Sequence, residues 1–303
     1  MSCKLSVIVC TYNPNPEVFQ RCMASVQSAL ESVEDAEVIV VDNDSSAPVE
    51  GIHRRFPRPV CQTRFVREEK RGLTSARLRG IRESKGDLMV FVDDDNFVRL
   101  DFFAQGLRIS QEHPFVGAFS GQIHLMFEKE PAQWTIPYHG MLVKRVFKVD
   151  LWSNLPTLDE TMPCGAGLFV RKAVAHHYVW LHDTGKRRIQ LDRSGDSLFS
   201  GGDNDLAACA CDIGLGVGLF HDLVTDHYIP AHRLEKAYLL RLMQGIYASG
   251  IVVKSLRGEY PVAYSFGRRV LDGLRLILMN PLKRDFYRAQ LRGEAEGRRM
   301  LGL

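Results

Sequence analysis

The sequence predicts an α/β protein: a mostly parallel central sheet with helices on both faces. Three observations carry this. Residues 5–10 (LSVIVC), 37–41 (EVIVV) and 88–92 (LMVFV) are nearly unbroken apolar runs rich in β-branched residues, as expected of strands covered on both faces. Helical patterns lie between them, so strands and helices alternate as β-α-β-β-α-β over about the first 95 residues. Each run ends in a polar cluster (TYN, DNDSS, DDDN), at the sheet edge where open α/β folds bind ligands.

Residues 5–10 form the first strand, broken by Thr11-Tyr12-Asn13-Pro14. Asn15 can cap a helix with Pro16 in its first turn, and Phe19, Met23, Val26 and Leu30 give that helix one apolar face. The second strand, 37–41, runs into Asp42-Asn43-Asp44-Ser45-Ser46. Residues 47–59 carry three prolines and read as loop. Residues 63–67 read as a short third strand. Thr74 or Ser75 opens a helix that runs to Lys85 and stops at Gly86. The fourth strand, 88–92, ends in Asp93-Asp94-Asp95-Asn96.

The second half is less regular. Residues 101–112 read as helix and 116–127 as strand-like, and 128–163 as a loop-rich segment holding Trp134, Tyr138, His139 and Trp152. Cys164-Gly165-Ala166-Gly167 makes a tight turn into a short strand at 168–171. Residues 182–204 are polar and glycine-rich, 205–211 helical and 217–220 a short strand. From Leu234 onward the pattern is helical, broken at Pro261 and at Asn280-Pro281.

With 303 residues, 45% hydrophobic and 25% charged, the chain can bury a sizeable core. This excludes disordered, collagen-like and small disulfide-scaffold classes. No apolar stretch reaches the length of a membrane-spanning helix. Seven cysteines (3, 10, 22, 61, 164, 209 and 211), an odd number without a CxxC pair, argue against a zinc site and for reduced thiols in a cytoplasmic protein. The start, Met-Ser-Cys-Lys, lacks the anatomy of a signal peptide. Charge is uneven. Residues 1–232 hold 25 Lys/Arg against 30 Asp/Glu, and residues 233–303 hold 14 against 6, a net +8. A basic tail suits an anionic partner (lipid surface, phosphorylated acceptor or nucleic acid) or simply a solvated helix face.

The strongest chemical signal is Asp93-Asp94-Asp95. Three adjacent carboxylates at a strand end repel one another and stay ionised together only beside cations. Hard oxygen donors of this kind suit Mg²⁺ or Mn²⁺ carrying a diphosphate; the plainer alternative is an acidic turn. Asp42 can accept hydrogen bonds from a base or ribose, or close an Asx turn with Ser45 or Ser46. Arg71 and Arg77 flank a helix N-terminus, where an anion is favoured. Asp203, in SGGDNDLA, is either a helix cap or a general base. His221, His227 and His232 are spaced by six and five, which does not suit a three-histidine metal site, though one of them, on a loop, can complete a metal shell begun by carboxylates. Trp134, Tyr138 and Trp152 suit either sugar stacking or core anchoring.

Taken in order, these segments resemble the family 2 glycosyltransferases, inverting enzymes of the GT-A fold. SVIVCTYN is similar to the family's opening strand and nucleotide loop, and VIVVDNDSS to its base-contacting strand. GLTSARLRGI resembles the G-x-x-x-A-R-N segment, with Leu78 where Asn is usual. FVDDDN is similar to the D-x-D signature, CGAGLFVRK to the acceptor-side segment, SGGDNDLA to G-E-D-x-D/E-L, and HYIPAHRL to a His-x-Ile-Pro lid. The likeness spans about residues 4–235. It implies a GT-A domain over 1–235, with a nucleotide-binding half at 1–100 and an acceptor-binding half at 101–235, followed by a basic helical extension over 236–303.

The resemblance further implies roles. Thr11, Tyr12, Asn13 and Asp42 would hold the nucleoside, and Arg71 and Arg77 the diphosphate or the carboxylates. Asp93 and Asp94 would contact ribose and orient the site. Asp95, joined by His227, would bind Mg²⁺ or Mn²⁺, and Asp203 would be the general base, with Asp205 as its rival. Gly202 stands where Glu is usual, which bears on acceptor binding. The partners implied are a nucleoside-diphosphate sugar, UDP-linked by preference, and a glycan or lipid-linked acceptor, with no nucleic acid. Leu271, Leu274, Ile277 and Leu278 with Arg268, Arg269, Arg275, Lys283 and Arg284 form a basic amphipathic element within 264–303, suited to peripheral contact with the cytoplasmic membrane face. The competing classes are a nucleotidyltransferase, disfavoured because no glycine-rich phosphate loop follows the first strand, and a silent binding module, disfavoured because Asp95 and Asp203 are both present.

Overall fold

The computed structural model describes residues 4–53, 60–156, 160–186, 191 and 199–303; Cys3 lies outside them. The elements in chain order are β1 (Leu5–Thr11), α1 (Pro16–Ala29), β2 (Ala36–Asp42), α2 (Glu50–His53), β3 (Thr63–Arg67), α3 (Leu73–Glu83), β4 (Leu88–Asp93), β5 (Asn96–Val98), α4 (Phe102–Glu112) and β6 (Val116–Phe127). A 3-10 helix (Gln133–Leu142), β7 (Leu151–Ser153), β8 (Leu168–Arg171), α5 (Lys172–Asp183), α6 (Gly202–Asp212) and β9 (Gly216–Ile229) follow, then a second 3-10 turn (Ala231–Leu234), α7 (Lys236–Ser255), α8 (Phe266–Leu278) and α9 (Pro281–Met300).

The apolar runs become a sheet ordered β3-β2-β1-β4-β8-β6-β9-β5, with β7 also on β9. β3, β2, β1 and β4 are parallel, and β6 and β9 pair in parallel beyond the antiparallel β8. One face packs under α1 and α4, through Phe19, Met23, Phe102 and Phe103. The other packs under α3, α5 and α6, through Ala76, Ile81, Tyr178 and Leu206. Asn15 caps α1 as its side chain predicts, accepting from the amides of Glu17 and Val18.

Register brings distant residues together at the carboxyl edge. Thr11 pairs with Asp42, and Cys10 with Asp93. On the other side of the site β5 pairs with β9, setting Asn96 opposite His227.

Two expectations change. The strand expected at 217–220 runs on to Ile229. Polar residues in HDLVTDHYI mask its period of two, yet Leu223, Thr225, His227 and Ile229 alternate inward. A register shift opposite Gly121/Gln122 absorbs His221, Asp222 and Leu223. His227 is therefore on a strand, not a loop. Helix α5 carries no start signal; Arg171 precedes it without a side-chain cap, and its helix is held by burial of Val174, Ala175 and Tyr178.

Candidate active site

Four acidic groups, Asp93, Asp94, Asp95 and Asp203, and two arginines, Arg77 and Arg233, meet at the carboxyl edge. Asp94 accepts a 2.5 Å hydrogen bond from Thr11 Oγ1. Burial first, and then repulsion from Asp95, pushes the Asp94 carboxyl up to about 7. Burial likewise raises Asp93 against the pull of Arg77. The surrounding arginines thus do not fully offset the burial of Asp93 and Asp94.

Arg77 lies on α3 beneath this cluster, 4% exposed. Burial works against its charge, but Asp203 and Asp93 outweigh it and hold its pKa up. Asp203, in the first turn of α6, is half-buried and accepts from the Gly165 amide at 2.6 Å through Oδ2. Gly165 is glycine for a reason: a Cβ there would lie 2.5 Å from an Arg77 nitrogen and 3.2 Å from Asp203 Oδ2. The turn CGAG therefore presses its backbone into the Arg77–Asp203 pair. Asp205, Asp203's rival in the sequence, is buried and engaged by Arg257 through Nη2 at 3.0 Å.

Asp95 and His227 converge. Asp95 Oδ2 is 3.5 Å from His227 Nε2. His227 Nδ1 faces the Leu142 carbonyl at 3.1 Å and must donate to it, which aims Nε2 at Asp95. Arg233 Nη1 reaches both, at 3.0 Å from Asp95 Oδ2 and 3.3 Å from His227 Nε2. A cation of the protein's own therefore holds the position between a carboxylate and an imidazole. No cluster of three or more candidate metal ligands occurs among the described residues, so a bound Mg²⁺ or Mn²⁺ would draw its remaining ligands from diphosphate oxygens and water. That division is usual for these ions, and the donor set fits them. Arg233 was not read from the sequence; its only signal was its place just after the His-Tyr-Ile-Pro segment.

The nucleoside end is built by short loops. Asp42 accepts from the Ser45 amide at 2.9 Å, the Asx turn that the sequence left open. Asn13, at φ 45°, accepts from Ser46 N and Oγ, and its own amide donates to Ser45 Oγ. Asn43, given no role in the sequence reading, accepts from the Gly72 amide and donates to the Glu68 and Lys70 carbonyls. It thereby ties the β3–α3 loop to the site. Arg71 is not brought to the carboxylate cluster: it pairs with Asp44 at 3.1 Å and lies over the half-exposed Tyr12 ring.

Trp134 and Tyr138 prove to be anchors. Tyr138 stacks on Phe286 of α9, with Trp134 edge-on to it. Trp152 leans on Phe115 at the surface. His221 bonds Asp150 away from the site.

Residues 6–177 match the family model described as Glycosyl transferase family 2. The chain belongs to glycosyl transferase family 2. Relatives include the glycosyltransferase AglE of Haloferax volcanii, 25% identical over 74% of this chain and 66% of that protein. An N-acetylglucosaminyltransferase of Bradyrhizobium elkanii is 33% identical over 39% of this chain and 65% of that protein. The putative glycosyltransferase EpsH of Bacillus subtilis matches over 34% of this chain and 29% of that protein. The chain thus spans less than two thirds of each relative's length. Among solved structures, the mannosyltransferase PcManGT of Pyrobaculum calidifontis, in complex with GDP-Man and Mn²⁺, superposes with a TM-score of 0.58 at 18% identity, covering 97% of this family 2 chain and 86% of that one. Residues 1–349 of S. aureus TarS, in complex with UDP, give 0.52 at 16% identity over 97% and 83%. The likeness confirms the GT-A fold: a mixed α/β sheet flanked by helices.

Proposed function

We propose that this family 2 enzyme is an inverting, divalent-metal-dependent transferase. It moves a sugar from a nucleoside diphosphate, UDP in our reading, to a hydroxyl of a glycan or lipid-linked acceptor in polysaccharide, surface-glycan or glycolipid synthesis. The observation that carries this is the convergence of Asp95, His227 and Arg233 beside Asp93 and Asp94, with Asp203 joined to the same cluster through Arg77. The binding of GDP-Man with Mn²⁺ by one structural neighbour and of UDP by another is consistent with it. The transferase unit is residues 1–235, and 236–303 its basic helical extension. Buried Cys22, Cys164 and Cys209 suit a reducing, cytoplasmic setting.

Thr11, Asn13 and Asp42 shape the nucleoside end, with Tyr12 and Arg71 as its outer wall. Asp93 and Asp94 orient ribose and sugar. Asp95 and His227 hold the metal, which when bound neutralises charge on the departing diphosphate. Arg233 and Arg77 add fixed positive charge nearby. Asp203 takes the proton of the acceptor hydroxyl as its oxygen attacks the anomeric carbon and the bond to the diphosphate breaks. A single displacement inverts that centre. Gly202 packs closely on its neighbours: a Cβ there would lie 2.9 Å from Thr74 Oγ1 and 3.7 Å from Arg77 Nη1, so the glutamate usual in the family would need Thr74 to move.

The test is slow donor hydrolysis, with water as acceptor, followed by proton NMR across a panel of nucleotide sugars. Inverted configuration in the first-formed sugar supports the proposal. Retained configuration overturns single displacement.

A further inference from the structure

Helix α8 is packed inside out. A surface helix of a soluble protein turns its apolar stripe inward. Here the inward residue is Asp272, 3% exposed, which accepts 2.5 Å hydrogen bonds from Tyr264 and from Tyr287 of α9. Arg268 reaches across to Glu294 of α9, and Arg275 to the Tyr287 hydroxyl. The contacts that hold α8 to the body are thus largely polar. Meanwhile Phe266, Val270, Leu271, Leu274, Ile277 and Leu278 are all exposed, Ile277 and Leu278 by 74% and 84%.

At 100° per residue the six apolar side chains fall within one arc of about 140°. Arg275 and Arg268 border one margin and Arg269 the other, with Lys283 just beyond the helix end. The helix's single acid, Asp272, is turned away from this face. Val262 and Tyr260, just upstream, are exposed as well. An apolar patch this continuous marks an interaction site.

We propose that α8 is a membrane-docking element that seats its apolar face in an anionic lipid surface with its arginines on the headgroups. Charge complementarity selects lipid over a second copy of the chain. A self-contact would bring two arginine-edged faces together with no acid on either to pair them. No helix among the described residues is long and apolar enough to cross a membrane, so the element lies in the interface. The polar Asp272–Tyr264–Tyr287 clasp holds it there without using the apolar face. This inference is independent of the donor site.

The experiment is flotation of the full chain with vesicles of phosphatidylcholine alone or mixed with phosphatidylglycerol, without donor or acceptor. The wild type should float with the mixed vesicles, less in high salt, and bind phosphatidylcholine alone weakly. Leu274→Glu with Ile277→Glu should lower the partition coefficient on the order of a hundredfold, from the loss of two buried aliphatic side chains. Circular dichroism and melting should be unchanged, because both positions face water. Equal binding by the double variant, or no binding by the wild type, overturns the proposal. A concentration-dependent dimer in sedimentation that the same substitutions abolish would assign the face to a second copy and overturn it as well.

Discussion

Arg257 joins the end of α7 to the helix that carries Asp203, and replacing it should disturb both stability and turnover. Its side chain is 5% exposed, against 2% for that of Asp205. It donates to the Asp205 carboxylate and carbonyl at 3.0 Å each, and to Asp212 at 2.5 Å. Arg257→Met keeps the apolar stem and removes the charge, leaving Asp205 buried without its cation. Breaking one side of a buried pair costs about 3–5 kcal/mol. For a chain of this size that corresponds to a melting shift of roughly 5–8 °C. Urea denaturation followed by circular dichroism gives the free energy directly. Adding Asp205→Asn removes the stranded charge, so the double variant should recover about 1–3 kcal/mol relative to additivity. Asp203 lies two residues away on the same first turn, so turnover should fall while donor affinity holds. A loss below about 1 kcal/mol in Arg257→Met, or strict additivity in the double variant, would refute this reasoning.

Arg233→Gln should tighten divalent-metal binding to the donor-free protein by about tenfold, since a competing cation leaves Asp95 and His227. The same variant should weaken donor binding; manganese titration that shows weaker metal affinity would contradict the stand-in role. Asp203→Asn should lower turnover about 10²–10⁴-fold with donor affinity intact, because its amide oxygen can still accept from Gly165; near-normal turnover would exclude it as the base. Hydrogen bonds from Tyr264 and Tyr287 hold the Asp272 carboxyl below its ordinary range. Its contribution to seating α8 is therefore present above about pH 4 and lost as pH falls through the lowered value. Hydrogen exchange in α8 should rise selectively at acid pH, and a rise near neutrality would point elsewhere.

The nucleotide-binding half was legible because burial on both faces leaves a plain mark. Strands β1, β2 and β4 are nearly unbroken apolar runs, and Asn15 caps α1 as expected, although α3 ends at Glu83, short of the stop expected at Gly86. Strand β9 was half-read because polar residues interrupt its apolar signal, among them His227, which serves the site. The aspartates announced themselves by adjacency. Arg233, Asn43 and Arg257 did not: each acts through a long-range contact set by topology, and single arginines or asparagines in a polar context carry no period. Trp134 and Tyr138 left sugar stacking and anchoring both open in sequence, and only the fold brings Phe286 of α9 onto Tyr138. The sequence marked α8 as amphipathic but could not say which way it faces.

In the proposed function, the edge holding Asp95, His227 and Arg233 binds a nucleoside diphosphate together with a divalent cation. Calorimetry of UDP and GDP, each with and without Mn²⁺, on the wild type and on Asp95→Ala tests it most directly. The account predicts that one nucleotide binds only with the metal, and that Asp95→Ala abolishes the metal dependence while the protein stays folded. Binding of equal strength with and without metal in both proteins, or no binding of either nucleotide by the wild type, would contradict it.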